Sequence, residues 1–485
     1  MRFTVAMLLV ASFCCVSLLG GATSPEAIAG TQSTPNVRVS HDTYLAHSEP
    51  YVAVNPKQRG NLLGASKLFT DLAKYRFHIG TYVSFDGGSS WHDNGLLPGS
   101  QAFLITSDPT VAFNANGVGY VLALGIRALP NHATRSGVYI WRSFDGGRSF
   151  GRAITVFEDA GFANDKPWLT VDTSDGPTLG NIYVAWVHLF DRGRHAKIAF
   201  SRSVDGATSF SPVQMFNAPK SGFPSGPIVT VAPGGQVHIV YIVLDRSSID
   251  VVGSVDGGAH FGSSHLVSPV KELPEQLPHA NFRVFSLPAA AASPTGSALY
   301  AAWADYGGHI ARVLASRSQD GGQTWTLPVR VDGGQMVRHD DQFEPQLAVG
   351  SDGSVFVSYF SRLHNAANGL IDVYLARSAD GGVSFSPSQR VTNVSWNPAL
   401  GAPHATAQET FIGDYQGLAV GPGVIYPFWN DTRSGKQEIY SAAVPYAPVP
   451  SLAVTPTPVM HVLATASRAA TPTGTTGTAK ATIHR

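Results

Sequence analysis

The chain has 485 residues, with 33 basic and 33 acidic side chains, no formal net charge, and only 14% charged residues against 44% hydrophobic ones. Without a basic excess to neutralise phosphates, nucleic acid is not the expected partner. Gly 50 and Pro 32 describe a turn-rich all-β chain, and a regular internal repeat makes one continuous array out of a length that otherwise suggests several domains.

Met1-Arg2, the apolar run from Val5 to Leu19 and the small residues Gly20-Gly21-Ala22 read as a secretory signal over residues 1–22, cleaved after Ala22. An uncleaved anchor is the alternative, for which the run is short. Both cysteines, Cys14 and Cys15, fall inside this segment. The mature chain is therefore expected to be secreted or held at the cell surface, without a membrane span, and stabilised by packing without disulfides. Residues 23–35 are small and polar and read as a flexible lead-in.

Structure is expected from residue 36 to 447. Asn36-Val-Arg-Val-Ser40 alternates like a strand. From Glu49 a pattern sets in: a polar residue, often followed by Pro, precedes a short apolar strand, as in Glu49-Pro50-Tyr-Val-Ala-Val, Asp108-Pro109-Thr-Val-Ala-Phe, Lys166-Pro167-Trp-Leu-Thr-Val, Gly226-Pro227-Ile-Val-Thr-Val and Glu344-Pro345-Gln-Leu-Ala-Val. A second strand follows, as in Ile182-Tyr-Val-Ala-Trp186 and Val355-Phe-Val-Ser-Tyr359. A third leads into an eight-residue signature, Ser84-Phe-Asp86-Gly87-Gly88-Ser-Ser-Trp91 in its first copy, and a fourth strand leaves it.

The signature recurs around Asp145, Asp205, Asp256, Asp320 and Asp380, with Asp-to-Asp spacings of 59, 60, 51, 64 and 60 residues. Asp-Gly-Gly between apolar runs supplies the positive φ of tight hairpin turns. The Asp and Ser side chains can bond turn amides, and the aromatic five residues on is expected to plug the turn against its own sheet. Arg142, Arg202, Arg317 and Arg377 each precede the Ser and read as part of the repeat's packing.

Four antiparallel strands per unit describe a β-propeller. Beyond the sixth turn one more unit appears, with three strands and no signature: Tyr415–Val420, Val424–Trp429 and Glu438–Val444. If the stray strand near Val37 supplies its fourth strand, seven blades close into a ring with no free sheet edges. Six blades is the alternative, with the last unit as decoration. From residue 448 to 485 the chain turns to Pro, Thr, Ala and Gly and reads as a disordered tail or stalk.

The Ser-x-Asp-Gly-x-x-x-Trp/Phe signature resembles the Asp box, or bacterial neuraminidase repeat, of the sialidase superfamily. The likeness runs from residue 49 to 444. It implies a propeller whose site lies on the face opposite the Asp boxes, with Asp86, Asp145, Asp205, Asp256, Asp320 and Asp380 in structural roles. In active members three arginines hold the sugar carboxylate, a Tyr–Glu pair is the nucleophile and an Asp the acid. On that resemblance Arg283, Arg362 and Arg433 are the carboxylate-holding candidates, Tyr415 with Glu409 the nucleophile pair, and Asp108 or Asp165 the acid. The family's Phe-Arg-Ile-Pro motif is absent; the nearest string is Phe282-Arg283-Val284-Phe285.

Residues alone mark the same face. Loops from the fourth strand of one blade to the first of the next put Glu49, Asp108, Asp165, Lys166, Arg283, Glu344 and Asp414 at the starts of inner strands, around the central channel. Such a polar ring can bind a cation or a sugar, or each residue can cap its own strand. Two long stretches, Ser268–Phe282 and Asn393–Thr410 with His404 and Glu409, lie on this face, as does Arg338-His339-Asp340-Asp341, whose single His beside two Asp suits an oxygen-bound cation such as calcium better than a transition metal. No organic cofactor is implied. Two functions remain: a sialidase-like exo-glycosidase acting on extracellular glycans, or a non-catalytic propeller binding a glycan or surface protein. A monomer is expected.

Overall fold

β-Branched and aromatic residues alternating over short runs build seven antiparallel sheets in a computed structural model of the chain. The structure describes residues 34–449 except 131–132, 217–221, 335–339, 364–368, 402 and 404–408. The segment read as a secretory signal, most of the lead-in, the tail beyond residue 449, and Arg338, His339 and His404 therefore lie outside the described residues.

Among those described, residues 47–96, 105–160, 163–216, 224–269, 289–330 and 342–390 form six four-stranded blades, each with its strands in chain order. The seventh combines Gly417–Gly421, Val424–Asp431 and Glu438–Ser441 with the N-terminal strand Val37–Arg38. Val37 and Arg38 pair with Ser441 and Tyr440. The Val39 amide donates to the Ile439 carbonyl at 2.7 Å. A short strand from one end of the chain thus covers the outer edge left open at the other. The core sits in the seams between blades, where Trp141, Trp186, Trp303 and Trp429 are fully buried. Each such side chain removes about 150–250 Å² from water.

The repeated turns are knit in one way. The Ser hydroxyl donates to the Asp Oδ1 at 2.7–2.8 Å in all six copies. The same hydroxyl accepts from the amide of the second glycine position, at 2.9 Å in the first copy. The Asp then accepts the amide four residues on, at 2.9 Å from Ser90 and from Ser149. Both glycines take positive φ, 69° and 81° at Gly87 and Gly88, and Ala207 carries φ 65° where the third copy lacks the second glycine.

In two copies the aromatic residue reaches past its own sheet to the preceding blade. Trp91 of the first blade packs on Phe428 of the seventh, with ring centroids 5.3 Å apart, and Phe261 of the fourth packs on Phe200 and Phe216 of the third, both at 4.8 Å. In these two the turn swings its last residue across the seam and fastens blade to blade.

The closing contact is testable at Ser40, whose hydroxyl donates to Glu438 Oε2 at 2.5 Å while accepting the Ile439 amide at 3.0 Å. Glu438 is buried. Ser40→Ala is expected to cost about 1–3 kcal/mol, the penalty for stranding a buried polar group, read as a lower urea midpoint with an unchanged slope.

Candidate functional site

A backbone irregularity repeated around the channel builds the site. In five inner strands the pairing slips where a residue precedes proline: between Ser48 and Tyr51, Ser107 and Thr110, Asp165 and Trp168, Ser225 and Ile228, and Phe343 and Gln346. The residue before each proline has positive φ: Glu49 52°, Asp108 56°, Lys166 48°, Gly226 54° and Glu344 48°. Only glycine takes such a conformation without strain; a side chain held there costs on the order of 1–3 kcal/mol. A bulge re-aims the residue it carries. Four charged side chains held this way turn towards the channel at the ends of the strands remote from the Asp turns. Arg283 and Asp414 join them from connecting segments, since the inner strands of their blades begin only at Ala289 and Gly417.

Charges interleave there. Asp414 accepts from Arg283 Nε at 3.1 Å and Nη2 at 2.8 Å, and from Lys166 Nζ at 2.7 Å. Asp108 and Asp165 converge on one donor: the Lys166 amide lies 3.2 Å from Asp108 Oδ2 and 3.0 Å from Asp165 Oδ1. Asp108 also accepts from Ser107 Oγ at 2.6 Å. Lys67 Nζ reaches Glu49 Oε2 at 2.7 Å, a charge contact without hydrogen-bond alignment, and lies 4.2 Å from the Phe411 ring centre. Glu344 is buried with neither carboxyl oxygen hydrogen-bonded. Below the mouth a small cavity of about 30 Å³ is lined by Pro167, Trp168, Pro227, Pro288, Glu344 and Pro345 among others.

These surroundings drive the carboxyl groups apart. Partial burial pushes Asp165, whose side chain keeps 42% of its surface exposed, up to about 6, with Asp108 and Asp414 adding to it against Lys166. Asp108 goes the other way: burial opposes its ionisation, but Lys166 and Lys67 hold it below the usual range. Asp414, equally buried, is held well down by Lys166 and Arg283. Burial takes Glu49 up to about 8 in spite of Lys67, and takes Glu344 well above the carboxylate range, helped by Asp414 and Glu49.

The remaining candidates are placed elsewhere or differently. The three arginines do not meet in one pocket. Arg362 is buried, donating to the Pro278 carbonyl at 3.0 Å and to Asp341 at 3.4 Å. Arg433 is forked onto Asp431 Oδ2 at 2.9 and 2.6 Å and also donates to Asn36 and Asn393. Both guanidinium groups are taken up in pinning loops, that of Arg362 reaching the segment between the fourth and fifth blades, which leaves Arg283 at the mouth. The Tyr415 hydroxyl donates to the Pro109 carbonyl at 3.1 Å; burial, then Glu49, Asp108 and Asp414, keeps its proton on. Glu409 weighs instead on Tyr75, which burial and Glu49 push up to about 12. Among the described residues no group of three or more His, Cys, Asp or Glu side chains is arranged to hold a metal ion. Asp340 and Asp341 face Arg312 and Arg362. Lys67 and Tyr75 escaped the sequence reading. Lys67 had a signal, as the one charge in the apolar run Leu62–Phe69; Tyr75 had none.

No family model matches the chain, and no curated protein matches it. Among solved structures, a protein of unknown function from Dyadobacter fermentans is similar at 17% identity over 70% of this chain and 96% of its own, with a TM-score of 0.46. A Hadza microbial sialidase, Hz136, shows 14% identity over 79% and 76%, TM-score 0.45. An α-L-arabinanase of Penicillium chrysogenum, complexed with arabinobiose, shows 12% over 85% and 98%, TM-score 0.44. Likeness this distant leaves the chemistry to the residues themselves.

Two substitutions at the mouth should move stability in opposite directions. Glu344 keeps in the folded state a proton that the unfolded chain releases above its ordinary pKa of 4.5, so its contribution to stability falls as pH rises from there. Glu344→Gln should therefore raise Tm at pH 8 and leave it nearly unchanged at pH 4. Asp414→Asn, which strands Lys166 and Arg283, should cost about 3–5 kcal/mol at pH 7 in the same melts.

Proposed function

We propose that the protein is a glycoside hydrolase acting on extracellular glycans at the channel mouth, with Asp165 as the acid and Asp108 as its ionised partner. What carries this reading is the pair itself: two carboxyl groups sharing the Lys166 amide, one pushed up and one held down. Glycosidic cleavage needs a protonated carboxyl to deliver a proton to the leaving oxygen and an ionised one to meet the charge developing on the sugar. Asp165 is reachable from solvent, with its side chain 42% exposed. The extracellular setting rests on the signal-like segment of residues 1–22.

The narrower, sialidase-type form of the reading faces an obstacle. Asp414 already engages Arg283 by two nitrogens, as a substrate carboxylate would. An acidic sugar has to displace it, whereas a neutral sugar does not. Neutral glycosides are therefore the expected substrates, and Tyr415, with its proton held on, is not needed as nucleophile.

A panel of fluorogenic neutral glycosides and a sialoside tests this. Turnover of a neutral glycoside should lose about 10²–10⁴-fold in kcat/KM with Asp165→Asn, survive Tyr415→Phe, and decline as pH rises through about 6, where Asp165 gives up its proton. Saturable glycan binding without turnover of any substrate would overturn the hydrolase and leave a binding propeller.

A further inference from the structure

On the face of the repeated turns, the seam between the fourth and fifth blades lacks a fastening that both of its neighbouring seams carry. At three seams the first glycine of the repeated turn offers its carbonyl to an arginine of the preceding blade, and at the seam between the first and second blades Gly146 offers it to Asn61 Nδ2 at 2.9 Å. Arg142 Nη1 donates to the Gly206 carbonyl at 2.9 Å, Arg202 Nη1 donates to that of Gly257, and Arg317 Nη1 donates to that of Gly381 at 2.9 Å. Each arginine lies beside a tyrosine paired with it across the sheet: Tyr120 with Arg142, Tyr183 with Arg202, and Tyr300 with Arg317. In the fourth blade the same register pairs His238 with Gly253. Both long side chains are gone at once.

What remains is an open cavity of about 460 Å³ between the fourth and fifth blades, lined by Gln236, His238, Gly253, His265, Asp320 and Gly321 among others. A substituent on Gly321 would face Gln236 Oε1 and the His238 ring, where the corresponding glycines of the third, fourth and sixth blades face a tyrosine hydroxyl, an arginine nitrogen, or both. The His238 ring reaches the Gly321 backbone from its own side, and burial drives it down to about 4, so it brings no charge. Its Nδ1 is buried without a partner. Asp320 is held down at about 2 by the Thr324 hydroxyl and amide and stays ionised. The cavity thus offers acceptors (an amide oxygen, a second lone pair on a carbonyl and a carboxylate) where its neighbours hold a built-in cation.

We propose that this seam is a binding site for a guanidinium group, an arginine side chain or an arginine-like small molecule supplied from outside the propeller. The neighbouring seams show the occupant the place is shaped for: a flat five-donor cation against the turn carbonyl. Val255, 84% exposed at the rim, adds an apolar contact available to a peptide and not to a free guanidine.

Thermal shift and calorimetry on the full chain at pH 8 test it, with Nα-acetylarginine amide, its citrulline counterpart, and an arginyl peptide flanked by leucine. The arginine compound should bind saturably and at least about tenfold more tightly than the neutral citrulline one, since a charge-assisted contact is lost. Tighter binding of the peptide assigns the site to a partner chain, and equal binding assigns it to a small molecule. His238→Tyr with Gly253→Arg, which rebuilds the neighbours' pair, should raise Tm and abolish binding. Should that double variant fold poorly, Gln236→Leu should weaken binding with Tm nearly unchanged. Equal response to arginine and citrulline, or binding unaffected by these substitutions, would overturn the proposal.

Discussion

Ring closure is the constraint on which the rest depends. A sheet of four strands has two edges, and here the outer edge of the seventh sheet is covered by a strand from near residue 37 while its inner strands pack on the first blade. Val37–Arg38 is two residues long, yet it converts a row of blades into a ring. The channel, its mouth and the packing of Trp91 on Phe428 across the joint exist only in the closed form. Its strength comes from side chains as well as pairing, through the buried bonds that link Ser40 to Glu438 and Ile439. A strand so short would fray if backbone bonds alone held it.

Within the ring, local strain and site geometry are one feature. A regular strand would send successive side chains alternately into the two seams. The slip before each proline breaks that alternation and aims one residue per blade at the axis. The tetrad Glu49, Asp108, Lys166 and Glu344 would repel if it were all acid. Lys166 and the incoming Arg283 and Lys67 divide the carboxylates, so that Asp108 and Asp414 ionise while Asp165 and Glu344 resist. Much of the proton chemistry open to the mouth follows from the balance at each carboxyl between burial and its neighbouring charges: Glu49 stays raised although Lys67 lies 2.7 Å away.

The sequence made the fold legible because the fold is periodic. Six copies of one turn and five X-Pro starts announce strand order, blade number and the free face, and the seven-bladed ring closed by the strand near Val37 is what the structure contains. The polar ring at the inner strand starts was legible for the same reason. Arg362 and Arg433 were not, because a loop arginine reads alike whether it faces a ligand or pins its own loop to Asp341 or Asp431. Tyr75 sits on a turn with no repeat to index it. That Trp91 and Phe261 also reach the preceding blade was not legible, because sequence spacing gives the distance from the turn and not which side of the sheet the side chain leaves.

Periodicity also supplies a way to weigh departures from it. When a position recurs in several blades its role is the blade's own, as with the arginines that clasp the next turn. When one blade departs, the departure is informative in proportion to how many contacts it removes together. Gly226, in place of a charged residue before Pro227, removes a charge but keeps positive φ and the bulge, so the channel loses a side chain and the fold loses nothing. His238 with Gly253 is a heavier change: an aromatic, a guanidinium and their hydrogen bond to the next blade vanish together, yet the strands on both sides keep their pairing. A seam that tolerates such a loss must be held by its buried apolar half, where Val251, Ala301 and Trp303 share one cluster. The polar half is then free to diverge without unfolding the ring, which is the condition under which a fastening can turn into a site.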